Sequence, residues 1–152
     1  MVWRRKRREI RGVGMVCNIV KDAIFLAMKS EPATDCPEDR KVAKDLCDTL
    51  KAHAGSCVGM AANMIGVRKT IIAVTMGFFH VPMINPVIVA REDPYETEEG
   101  CLSLSGVRPA KRYRKITVEY LDADFKPRRD TFTDHVAQII QHEYDHTRGI
   151  VI

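Results

Sequence analysis

Three observations predict an α+β fold, with a mostly antiparallel sheet flanked by N-terminal helices and a metal-binding H-E-x-x-H helix at the C-terminus. Apolar residues recur at helical spacing in the first third, and β-branched runs punctuated by Gly and Pro fill the middle. Helical periodicity then returns at the end, in a pattern without repeats or linkers. The length of 152 residues fits one domain, and the 45% hydrophobic fraction is ordinary for a globular chain.

Val16, Ile19, Val20, Ala23, Ile24 and Ala27 share a helical face, so the first helix is expected over Val16 to Met28. Ser30 to Asp35 reads as a loop. Pro37 suits a first helical turn, and Val42, Ala43, Leu46, Cys47 and Leu50 line one face of a second helix running up to Gly55. Strands are expected at Thr70 to Thr75, Val81 to Ala90 and Ile116 to Leu121, broken by Gly77, Pro82, Pro86 and the Asp93-Pro94 pair. Leu121 to Arg128 reads as a hairpin connection and Thr131 to Thr133 as a short return strand. Thr133 or Asp134 then caps a last helix, with Val136, Ile139 and Ile140 facing the core and Gly149 placed to end it.

The formal charge of +4 is concentrated at one end. Arg4, Arg5, Lys6, Arg7, Arg8 and Arg11 stand against Glu9 alone, whereas residues 13 to 152 hold 18 basic and 19 acidic side chains. The body has no basic excess, so any attraction to a polyanion rests on the tail. Residues 1–14 are accordingly taken as a basic N-terminal extension and 15–152 as the domain. Met15 is a second candidate start of translation, which would leave residues 1–14 as an upstream extension rather than a functional arm. Asn18, Lys21 and Asp22 interrupt the apolar run after the tail, which argues against a secretory signal, and no run approaches the 18 or so apolar residues of a membrane helix. Cys17, Cys36, Cys47, Cys57 and Cys101 are odd in number and contain no C-x-x-C pair, as in reduced cytoplasmic proteins.

The chemistry is concentrated in His142-Glu143-Tyr144-Asp145-His146. Positions i and i+4 of a helix lie one turn apart on one face, so two imidazoles can grip one ion while the Glu reaches its water. Only Thr147 to Ile152 follow, and none of them offers a thiolate, imidazole or carboxylate, so a third ligand has to come from upstream. The candidates are the five cysteines, His53, His80, His135 and several carboxylates. His135 lies about two turns away on the same helix, too far to share the ion. Cys101 stands out, because Glu99-Gly100-Cys101-Leu102-Ser103 puts a thiol after a glycine where a strand edge can present it to the helix. A Cys/His/His set leaves a fourth position open, the mark of a catalytic site. A bare H-E-x-x-H also arises on charged helices that bind nothing, so the upstream segment is what makes the set specific.

On these residues the chain resembles the peptide deformylases. That family is built on a Gly-rich segment ending G-x-A-A-x-Q, then E-G-C-L-S, then Q-H-E-x-D-H. Glu99 to Ser103 and Gln141 to His146 match the second and third without change, and the likeness runs in order from about residue 15 to residue 152. The resemblance implies that Cys101, His142 and His146 bind one divalent metal ion, with Fe(II) the first expectation and Zn(II), Ni(II) or Co(II) the others. It implies Glu143 as general base and the Leu102 backbone N–H as donor to the developing oxyanion. Val58, Gly59 and Met60 would form the wall receiving an N-formylmethionyl peptide. Glu99 would orient a ligating histidine, and Asp145 would pair with Arg112. The implied activity is metal-dependent removal of the N-formyl group from such peptides or nascent chains in the cytoplasm. Association of the basic tail with ribosomes is a further expectation from charge alone.

The first motif departs from the family. Cys57-Val58-Gly59-Met60-Ala61-Ala62-Asn63-Met64 places Cys57 at the first glycine and Met64 at the glutamine, whose amide donates to the formyl oxygen. A thioether cannot donate, and loss of one such donor costs about a hundred- to thousand-fold in turnover. The adjacent Asn63 carries an amide, but on a strand it would point to the opposite face. The alternative function is therefore a catalytically impaired deformylase-like protein that binds metal or formyl peptide.

Overall fold

The computed structural model describes residues 8–10 and 13–152, with side chains from Met15 onward. Of the basic extension, Arg4 to Arg7 and Arg11 lie outside the described residues. Strand β1 (Arg8–Ile10) pairs antiparallel with β2 (Val13–Val16) as a two-stranded ribbon. The main sheet has five strands in the order β3 (Gly59–Ala61), β4 (Ile71–Met76), β5 (Phe79–Cys101), β6 (Leu104–Leu121) and β7 (Pro127–Thr133), with every pairing antiparallel.

The helix expected over Val16 to Met28 forms only as the single turn α1 (Ala23–Leu26). Tertiary hydrogen bonds take the preceding backbone donors instead. Met15 N donates to Asp45 Oδ1 at 2.8 Å, Cys17 N to Thr49 Oγ1 at 2.9 Å, and Val20 N to the Met64 carbonyl at 2.7 Å. These bonds satisfy the donors in an extended conformation, and Asp22 then starts the helix late by accepting from Ile24 N and Phe25 N. Helix α2 (Pro37–Ala52) forms where expected, with Pro37 in its first turn, Glu38 and Asp39 toward the positive end of its dipole and Lys51 in its last turn.

The prolines expected to break the middle strands do not break them. β5 runs through Pro82, Pro86 and Pro94, and its register against β6 shifts between Ile84 and Val87, where Asn85 takes a φ of 49°. Such a bulge accommodates a residue without an N–H. The bulge also turns the Asn85 amide toward the peptide of Ala33, from which it accepts at 2.8 Å and to which it donates at 2.9 Å. The return strand is longer than the three residues expected, beginning at Pro127.

Alternation along β4 places the sheet between two helical layers. Ile71 and Ala73 pack with Leu46 and Leu50 of α2, while Ile72 and Val74 pack with Ala137 and Ile140 of the last helix, α3 (Asp134–Thr147). Thr133 is the N-cap of α3, although its side chain makes no capping bond. Gly149 ends α3 with a φ of 75°, and a Cβ there would collide with the carbonyl of Ala27. Among the described residues no helix is long and apolar enough to cross a membrane.

Candidate metal centre

Two elements from different layers build the centre. β5 ends at Cys101, and Leu102 and Ser103 turn the chain into β6, so the thiol sits at the tip of a long hairpin. Opposite it, α3 presents His142 and His146 one turn apart. One ligand atom from each of Cys101, His142 and His146 lies within 4.8 Å of the others. The Nε2 atoms of the two histidines face each other at 3.0 Å. At that separation a proton or a cation must lie between the two nitrogens, and with the Cys101 sulfur converging on the same point the donor set fits a single ion.

The surroundings settle the proton on each ring. His142 Nδ1 lies 2.9 Å from Glu99 Oε1, and an ionised carboxylate only accepts, so Nδ1 carries the hydrogen and Nε2 is directed at the cluster. Burial resists charging His142, but its contacts with Cys101 and Glu99 and the nearby Glu143 carboxylate outweigh that resistance and raise its pKa to about 10. His146 behaves oppositely. Burial and repulsion from His142 lower it to about 3, leaving a neutral imidazole. Ser103 N donates to Cys101 Sγ at 3.4 Å.

Glu99 is itself tightly held. Burial opposes its ionisation, but hydrogen bonds from His142, Arg112 and Gln138 prevail and hold its carboxyl near 2. Arg112 spans the layers, donating to Glu99 Oε1 at 2.6 Å and to Asp145 Oδ2 at 2.7 Å. Gln141 docks α3 on β6 by exchanging two 2.8 Å hydrogen bonds with the peptide of Tyr113.

A cavity of about 280 Å³ opens beside the cluster, lined by Cys101, Leu102, His142 and Glu143 together with Val58, Gly59 and Met64. Glu143 is buried, and its Oε2 has no hydrogen-bond partner among the described residues. Burial raises its carboxyl to about 7, with the His142 charge acting in the opposite sense. Gly59 is what lets β3 lie against this part of α3, since a Cβ there would sit 2.5 Å from Ile139 Cγ2 and 3.0 Å from Glu143 Cγ.

The expected wall is only partly in the lining. Val58 and Gly59 border the cavity, whereas the Met60 side chain points to the opposite face of β3 and is fully buried in the core. Asn63 lies on a 3₁₀ turn (Ala62–Ile65) rather than a strand, and its amide donates to the carbonyl of His146 at 3.1 Å. It is committed to the end of α3 and does not stand in for the glutamine. Met64 borders the cavity, its sulfur 3.5 Å from Ala61 N. Cys57 also lines it, donating to the Gly59 carbonyl at 2.9 Å, with a thiol that burial pushes up to about 11. Sequence reasoning missed Gln138, which lies four residues before His142 on the same face of α3. That spacing was the only signal available for it.

Residues 16–152 match the polypeptide deformylase family. A peptide deformylase of Clostridium beijerinckii is 56% identical over 138 residues, which covers 91% of this chain and all of that one. The actinonin complex of a deformylase from the Vibrio parahaemolyticus bacteriophage VP16T superposes with a TM-score of 0.79 at 30% identity, covering 89% of this chain and 99% of that one. A Met-Ala-Ser-bound class I type b deformylase from Acinetobacter baumannii gives a TM-score of 0.80 at 25% identity, covering 90% and 96%. With its sequence, its fold and a Cys/His/His cluster suited to one divalent ion in agreement, the chain belongs to the peptide deformylases, metal-dependent hydrolases that remove the N-formyl group from peptides.

Proposed function

We propose that the chain deformylates N-formylmethionyl peptides and nascent chains, with Cys101, His142 and His146 holding the ion and Glu143 moving the proton. The observation that carries this reading is the convergence of the three ligand atoms beside a cavity lined by Glu143, a buried carboxylate whose Oε2 has no hydrogen-bond partner among the described residues. Fe(II) is the ion proposed, and Zn(II), Ni(II) and Co(II) suit the same donors. When bound, such an ion supplies a polarised formyl carbonyl and a nucleophilic water near neutral pH.

The remaining work falls to side chains and backbone. Glu143, with a carboxyl near 7, is suited both to accept a proton from the attacking water and to return it to the departing amine. The Leu102 N–H, in the turn after Cys101, is assigned to the developing oxyanion. Val58, Gly59 and Met60 belong to an edge strand and its approach, where free backbone groups can pair with an extended peptide. Glu99 and Arg112, with Asp145, keep His142 aimed at the ion. Residues 15–152 form the working domain. The basic extension is assigned an electrostatic contact with ribosomal RNA in the cytoplasm, and equal ribosome binding by a chain starting at Met15 would overturn that assignment.

One observation favours a second reading, in which the protein holds metal or formyl peptide with little turnover. Met64 borders the cavity with a group that cannot donate, and Asn63 is engaged elsewhere. An assay with formyl-Met-Ala-Ser and ferrous iron separates the two. Formate release well above a metal-free control is expected, whereas stoichiometric metal without formate would establish the second reading.

A further inference from the structure

The carboxylate of Glu99 is gripped from both layers. From the sheet, Arg112 reaches Oε1 through Nη2 at 2.6 Å and Oε2 through Nε at 3.0 Å, fixing the carboxylate relative to β6. From α3, His142 Nδ1 lies 2.9 Å from Oε1 and Gln138 Nε2 donates to Oε2 at 3.0 Å. Gln138 and His142 are four residues apart, one above the other on the same helical face. The helix therefore meets a carboxylate anchored in the sheet at two points, one on each oxygen. Gln141 and Asp145 already dock α3 on the sheet, so what a single hydrogen bond to His142 would leave free is the imidazole, which could swing about that bond as the carboxylate tilts. The second contact, one turn away, removes this freedom.

The geometry points to Gln138 as a positioning residue for His142. It acts through Glu99, setting where His142 Nε2 is held relative to Cys101 and His146. The inference rests on the reading of His142 as a metal ligand. Gln138 is suited to the task because its amide is neutral and keeps its donor at any pH, and a donor is what Glu99 Oε2 needs on that side.

The test compares the full chain with Gln138→Met, which keeps length but has no donor, and Gln138→Glu, which turns an acceptor toward Glu99. Thermal unfolding of the metal-free proteins first establishes that each variant folds. Cobalt(II) affinity is then measured by chelator competition, and the ligand-field spectrum of the cobalt form is recorded without substrate. Both variants are expected to bind cobalt about ten-fold more weakly, within the 10- to 100-fold range of such supporting contacts, with a changed spectrum. In a Glu99→Gln background, Gln138→Met is expected to add little, because its route runs through Glu99. Wild-type affinity and spectrum in folded Gln138 variants, beside a strong loss in His142→Ala, would overturn the role of Gln138 alone. Unchanged affinity in His142→Ala as well would remove the ligand reading beneath it.

Discussion

Met64 is proposed as the residue that limits catalytic rate. Its position beside the cavity is that of the family's glutamine, and it is 1% exposed, so a replacement amide would be held in place rather than free in solvent. Met64→Gln restores a donor with nearly the same side-chain length. The expected gain is about a hundred- to thousand-fold in kcat with the same ion, the usual worth of one oxyanion donor. An unchanged kcat in the folded variant would mean that the formyl oxygen is not directed at this position. Cys101, His142 and His146 were legible as candidates because each lies in a contiguous motif. Gln138 was not, since a polar residue on a helix face reads as solvent-facing until the helix is docked and its neighbour across the interface is known.

At the scale of elements, the site depends on how closely β3 approaches α3. Gly59 permits a contact that any side chain would fill, with Ile139 Cγ2 and Glu143 Cγ as the atoms met. Gly59→Ala is expected to cost about 1–3 kcal/mol from overpacking, read by urea unfolding, and to lower activity further by displacing Glu143. In an Ile139→Ala background, itself less stable for the lost core side chain, Gly59→Ala should cost less than it does in the wild type, without sparing the activity. Additive effects in that double-mutant cycle would show that the two groups do not meet. Helix α2 was legible because its apolar face, its proline and its charges agreed. The first expected helix was misread because the same apolar spacing serves an extended segment, residues 15–22, in which the donors of Met15, Cys17 and Val20 go to Asp45, Thr49 and Met64. Proline signals misled in β5 because a bulge absorbs Pro86.

Across the whole molecule, the Glu99–Arg112–Asp145 network ties the hairpin to α3 and links stability to pH. The carboxyl of Glu99 is held near 2, below its unfolded value of about 4.3. Its contribution is therefore fully present above about pH 4.3 and is lost as pH falls through about 2. In metal-free protein, Glu99→Gln is expected to be less stable at pH 7, since breaking a buried ion pair costs about 3–5 kcal/mol. The difference should shrink as the pH drops from about 4 toward 2. Parallel stability curves for the two proteins over that window would show that Glu99 is not the group that titrates.

The sequence by itself determined the fold class, the second helix, the C-terminal helix and the identity of the candidate ligands. Periodicity is a local property, and the motifs keep their chemistry within a few residues. The tertiary structure decided where the first segment's donors go, how β5 passes its prolines, that Asn63 is committed to the end of α3, and that Gln138 and His142 share one carboxylate. Each of these depends on a partner 30 or more residues away, brought into reach only when the sheet and its two helical layers pack.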